Sequence, residues 1–246
     1  MGNSVGRNKT LKCSKSEIQK FSRELLRVDK NQSINNILKK LILGDFFSTA
    51  KYLPRNFVDL MIIDPPYNLT KDYNGSLFKK REKKDYEIHF KKVIDNIYPL
   101  MKSDATLYIC SDWSTSSIIS PILYDRFIVR NRITWEREKG RGSKTNFKNN
   151  SEDIWYCTKS KNYYFAAEKI KLKRRVIAPY RIKGKPKDWQ EEKMGNFRLT
   201  YPSNIWTDIT IPFWSMPENT PHPTQKPEKL IAKLVLSSSK KGGGNF

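Results

Sequence analysis

The sequence predicts an α/β fold whose mainly parallel sheet is covered by helices on both faces. Apolar runs of strand length alternate with segments whose apolar residues recur every three or four positions, the order expected of strand, helix, strand units. Of the 246 residues 37% are hydrophobic and six are tryptophan, enough for a sizeable core in one domain, or in one domain with an insertion. A third observation bounds the sheet. From Lys139 to about Pro221 the alternation gives way to irregular basic and aromatic sequence.

Residues 1–40 are basic and polar, with weak helical spacing at Ile18, Phe21 and Leu25 and again at Ile34, Ile37 and Leu38, which predicts an arm of short helices. "LILGDFF", from Leu41, and "FVDLMII", at 57–63, read as two strands joined by a short helix or turn. Phe90, Val93, Ile94, Ile97 and Leu100 predict a helix over about 86–101, and "ATLYICS" at 105–111 the next strand. "SIISPILYDR" predicts a helix interrupted at Pro121; "FIVRNRITWE" and "DIWYCT" predict two further strands. After the irregular stretch, "TQKPEKLIAKLVLSS" predicts a helix, with Pro227 near its first turn and Leu230/Leu234 and Ile231/Val235 paired on one face. "SSSKKGGGNF" begins no further element. The divisions are an arm (1–40), an α/β part (41–168), an insertion (169–221) and a closing helix with its tail (222–246).

Charge narrows the partners. Forty-seven basic against 25 acidic side chains leave +22, far more than solubility needs, so a polyanion is expected. No run approaches the roughly 18 apolar residues of a spanning helix, which puts nucleic acid ahead of a membrane; a merely lysine-rich surface is the plain alternative. The insertion interleaves Lys and Arg with Trp, Tyr and Phe, a mixture that neutralises phosphates and offers flat faces to bases, or that packs a small core of its own. Cys13, Cys110 and Cys157 are odd in number and lack a C-x-x-C, so neither a disulfide framework nor a metal site is expected and the compartment reads as reducing cytoplasm. The amino terminus has no apolar signal core, and Gly6 stands where myristoylation requires Ser or Thr.

"LMIIDPPYNL", residues 60–69, carries the chemistry. The residues just past the carboxyl end of such a strand line the ligand crevice of an open α/β sheet. Asp64 and Pro65 each precede a proline and are pushed toward extended backbone, which fixes the Asp64 side chain relative to the Pro65 carbonyl. Two acceptors on a stiff corner suit an NH2 donor. The exocyclic amine of adenine or cytosine is a weak nucleophile, and two preorganised acceptors would stabilise the charge that develops on its nitrogen during attack. Tyr67 would stack on the base, which must be flipped out of its duplex to reach the corner. The natural electrophile is the methyl group of S-adenosylmethionine. The plain alternative is that Pro-Pro merely ends a strand.

These residues resemble the amino-methyltransferases of bacterial restriction-modification systems. The likeness runs from Leu41 to about Ser238: "LILGDFF" resembles the start of a split cofactor-binding region, "DPPYNL" the catalytic motif, and "HPTQKP" at 222–227 the cofactor-side motif. That order resembles the permuted class, in which the catalytic half comes first. The resemblance implies a Rossmann-like methyltransferase fold, S-adenosyl-L-methionine as cofactor and double-stranded DNA as partner. It makes 41–168 the catalytic part and 169–221 a basic target-recognition insertion. It implies catalytic roles for Asp64, Pro65, Pro66 and Tyr67, with Asp45 near the cofactor's adenine and His222 and Lys226 near its methionine end. Asp at the head of the tetrapeptide favours N6 of adenine over N4 of cytosine. Asp45 could instead cap a helix, and His222, between two prolines, could be a turn residue. RNA methyltransferases share a similar corner but usually place it after the cofactor motif.

The family continues past "HPTQKP" and its helix with a strand and a glycine-rich turn, whereas here "KKGGGNF" follows. The expectation is an incomplete sheet, C-terminally truncated, with an apolar edge. Three readings follow: an active enzyme, a truncated remnant or DNA-binding fragment, and one half of a split enzyme whose second chain supplies the cofactor-binding part.

Overall fold

The computed structural model describes residues 8–137, 142–177 and 180–243. The stretch read for a targeting signal therefore lies partly outside the described residues, as do Gly140 and Arg141 of the basic loop and residues 244–246 of the tail.

The arm carries α1 (Lys15–Glu24), opened by a capping box of Ser14 and Glu17, and α2 (Ile34–Ile37). It is tied to the body: Lys9 N donates to Trp214 O at 2.6 Å and Leu11 N to Asn219 O at 2.7 Å. The run 41–43, expected as a strand, makes only one isolated parallel bridge, Ile42 with Leu26. Leu41 is 74% exposed, so one residue of the three faces the core and the run has too little to bury as a strand. Then α3 (Phe46–Ala50) leads to β1 (Val58–Ile63).

After β1 come a hairpin, β2 (Lys71–Tyr73) and β3 (Ser76–Phe78), then α4 (Lys83–Ile97), β4 (Met101–Ser111), α5 (Trp113–Arg126), β5 (Ile128–Glu136) and β6 (Ser151–Thr158). The hairpin turns at Asn74 and Gly75, both at positive φ (55° and 96°), the Asn-Gly pairing that two-residue turns prefer. α5 runs unbroken through Pro121, contrary to the expected interruption. Pro121 and Ser117, the residue whose carbonyl loses its helical partner, both lie on the exposed face, where water can take the bond.

Beyond residue 170 the chain forms β7 (Leu172–Arg175), β8 (Arg181–Ile182), β9 (Lys185–Pro186), β10 (Gln190–Glu192), β11 (Gly195–Thr200) and β12 (Ile205–Trp206), and it closes with α6 (Glu228–Ser238). β10, β11 and β7 make a small antiparallel sheet, whereas β12 rejoins the main sheet beside β5.

The main sheet has the order β1, β4, β6, β5, β12 among the described residues. β1 pairs parallel with β4 and β12 parallel with β5, but β6 lies antiparallel between β4 and β5. The sheet is thus mixed: four strands point one way and β6 is reversed. Apolar residues alternate between two cores, as a pleated strand requires. Met61, Leu107 and Ile109 face α4 and α5, while Leu60, Tyr108 and Cys110 face Leu230 and Leu234 of α6. No helix among the described residues is long and apolar enough to cross a membrane.

Candidate active site

β1 ends at Ile63, and Asp64 to Tyr67 follow over the carboxyl end of the sheet. Tyr86 of α4 donates from Oη to the Pro66 carbonyl at 2.9 Å. Asn68 is clasped on both sides: its N–H donates to Thr115 Oγ1 at 3.1 Å, and its side chain exchanges bonds with the Arg81 backbone at 2.8 and 2.9 Å. The corner is therefore anchored to α4 and to the first turn of α5, and proline stiffness is one of several restraints.

Four charged groups and one hydroxyl converge there. Lys226 Nζ lies 2.9 Å from Asp64 Oδ2, 3.2 Å from Glu152 Oε2 and 3.2 Å from Tyr67 Oη. Tyr67 Oη is 2.9 Å from Glu152 Oε2 and 3.2 Å from Asp64 Oδ1. With one proton it donates to Glu152 at the shorter distance. Arg137 Nε stands 3.1 Å from the other Glu152 oxygen, an ion pair without hydrogen-bond alignment. Burial, reinforced by Asp64, pushes the Tyr67 hydroxyl far above the phenol range and keeps it a donor. Burial works against the Lys226 ammonium, but Asp64, Cys110 and Glu152 outweigh it and its pKa is raised.

Two clefts meet at this corner. The first, about 460 Å³, is lined by Asp64 to Tyr67, by the β2–β3 hairpin through Tyr73 and Phe78, and by His222, Thr224 and Lys226. The second, about 530 Å³, has apolar walls from Phe46, Phe47, Ile63 and Val93, with Asp45, Arg81 and His89 also in its lining. Asp64, Pro65, Pro66 and Phe78 line both. His89 has a lowered pKa, through burial first and then through Arg81 and Lys92.

Residues 58–244 match the family model described as DNA methylase, of the N6/N4 type. The chain belongs to the DNA methylase family. This methylase is 29% identical over 214 residues to the DNA adenine methyltransferase YhdJ of Escherichia coli, covering 84% of this chain and 69% of that one. It is 30% identical over 214 residues to the type II methyltransferase M.HpaI of Haemophilus parainfluenzae, covering 83% and 61%. The chain thus spans between three fifths and seven tenths of these two relatives. Among solved structures it resembles the PvuII DNA methyltransferase (cytosine-N4-specific), with a TM-score of 0.57 at 13% identity, covering 87% of this chain and 72% of that one. That likeness bears on the fold.

The site residues expected from sequence fall in two places. Asp64, Pro65, Pro66, Tyr67, His222 and Lys226 share the first cleft, and Asp45 lies in the second. Asp45 also accepts from Ser48 N at 2.9 Å and caps α3, so it serves as a cap as well. Gly44 before it has no room for a side chain, since a Cβ would stand 2.7 Å from Thr49 Oγ1. His222 sits in a turn, its Nδ1 accepting from Thr224 N at 3.3 Å, with its ring 6.3 Å from that of Tyr73. Sequence reasoning missed Glu152, Arg137 and the hairpin wall. Asn74-Gly75 was the available signal for the hairpin; Glu152, next to Asp153 at the start of β6, carried none.

Proposed function

We propose that this chain carries the catalytic and target-recognition parts of a site-specific DNA methyltransferase of the permuted class, working in the cytoplasm of a restriction-modification host. The base acted on is adenine, at N6, ahead of cytosine at N4. The observation that supports this is the meeting of two clefts at Asp64, Pro65 and Pro66, which a reaction between two bound molecules requires.

The second cleft suits an adenosine moiety. Its apolar walls can sandwich a flat ring, and Asp45 offers acceptors to hydroxyl or amine hydrogens; S-adenosylmethionine bound there supplies a methyl group activated on a sulfonium. In the first cleft the flipped base stacks on Tyr67, while the Asp64 carboxylate and the Pro65 carbonyl accept its two amine hydrogens and direct the nitrogen lone pair out of the ring plane. As the nitrogen gains the methyl group that the sulfonium would give up, Asp64 would take one amine proton and pass it to water. His222 and Lys226 border the reacting groups. The aspartate heading the tetrapeptide and the name of the Escherichia coli relative both favour adenine.

The position of β1 supports a further part of this reading. Among the described residues the strand that ends in the reactive corner is the edge strand of the sheet, although Leu60 and Met61 are wholly buried. We infer that a further strand beside β1 completes the cofactor side, from further sequence of the same protein or from a second polypeptide. The test is equilibrium binding of S-adenosylmethionine together with transfer of a labelled methyl group to duplex DNA. Transfer to adenine in a fixed sequence supports the proposal. Duplex binding with no cofactor affinity, alone or with any complementing chain, would reduce the protein to a DNA-binding fragment.

A further inference from the structure

We propose that Glu152 is a positioning residue for methyl transfer: it gives Lys226 a second anionic partner, so that the ammonium can leave Asp64 when the target amine arrives. This rests on the reading of the site given above. Asp64 Oδ2 is taken by Lys226 at 2.9 Å, yet the amine needs that carboxylate. The Lys226 side chain is only 10% exposed and cannot simply turn into water, since an unpaired buried charge is costly. Glu152 Oε2 waits 3.2 Å away on a side chain 5% exposed. Its other oxygen faces Arg137, so two carboxylates and two cations balance before and after the exchange.

Glu152 also fixes the ring that meets the base. The Tyr67 hydroxyl donates to it at 2.9 Å, which sets the tilt of the stacking face from the sheet side while Asn68 holds the backbone from the helix side. The groups facing Lys226 are Asp64 and Tyr67 past β1, Tyr73 on β2, Cys110 on β4 and Glu152 on β6. Among them Glu152 and Asp64 are the carboxylates, so removing either leaves Lys226 with one.

Glu152→Gln keeps the shape and removes the charge. In the full chain carrying 13C-labelled lysine, the Lys226 side-chain resonance is expected to titrate at lower pH in this variant than in the unaltered protein. With duplex DNA and cofactor, kcat is expected to fall roughly tenfold or more while duplex affinity is unchanged, the pattern of lost positioning. Glu152→Asp, which restores the charge one methylene short, should recover part of both. An unmoved Lys226 titration overturns the proposal, as does a moved titration with undiminished kcat per folded molecule. The resonance can be read without catalysis, so a protein that transfers no methyl group, even with a complementing chain, refutes the function proposed above and still reports on Glu152.

Discussion

At the scale of single residues, the corner separates chemistry from binding. In the proposed reading Asp64 accepts from the amine and meets no phosphate, so Asp64→Ala should abolish methyl transfer while leaving duplex affinity nearly intact. Undiminished transfer in that variant would remove Asp64 from the mechanism. Lys226 gives a pH prediction. Its folded pKa is raised above 10.5, so the stability it contributes is complete below 10.5 and is lost as pH rises through the folded value. Lys226→Met leaves Asp64 and Glu152 facing each other and should cost about 3 kcal/mol, as breaking a buried pair does. The difference in thermal midpoint from the unaltered protein should hold through mildly alkaline pH and close only above 10.5. Cysteines divide in the same way. Cys110 and Cys157 are buried and their thiols pushed up, Cys157 to about 12 by burial, whereas Cys13 is exposed. A thiol reagent should modify Cys13 alone in the folded protein and all three after unfolding.

At the scale of elements, α6 shows how packing positions chemistry. Lys226 stands just before Pro227, the N-cap of the helix, whose Leu230 and Leu234 are wholly buried in the core on the Leu60, Tyr108 and Cys110 face of the sheet. Leu234→Ala should cost about 2–5 kcal/mol and lower kcat more than duplex affinity, because it loosens the helix that carries the ammonium; equal losses in both would mean global unfolding instead. This helix was legible from its four-residue apolar pairs, and β1, β4 and β6 from apolar runs that burial on both faces leaves in sequence, whereas the half-exposed β5 was legible from its β-branched and aromatic residues. The reversal of β6 was not legible, since a buried run looks the same in either direction. Nor was Glu152: a charge at a strand's first positions reads as solvent-facing until the neighbouring Tyr67 and Lys226 are in place. The place of Asp64 to Tyr67 in a cleft at the end of β1 was legible because an apolar run ends there in a charge and two prolines.

At the scale of the whole molecule the net charge of +22 must be given a location before it explains anything. The small sheet of β7, β10 and β11 borders a cleft of about 560 Å³ lined by Lys173, Lys187, Trp189, Phe197 and Arg198. Trp189 is buried there, its indole N–H donating to Tyr180 O at 2.9 Å, while Tyr180, Leu199 and Tyr201 are exposed, so the insertion both packs itself and presents aromatic surface. Some of its charge is spent internally, in the pairs Lys173 with Glu192 and Arg198 with Asp188. If six or more cations of this face meet phosphates, duplex affinity should fall about a thousandfold between 50 and 200 mM salt. Lys187→Ala should then weaken binding evenly across sequences and reduce the salt slope by about one. Lys15→Ala on α1, equally exposed but far from the cleft in sequence, should leave the slope unchanged. Equal reductions from both variants would mean an undirected basic surface, and recognition would then have to come from elsewhere in the chain.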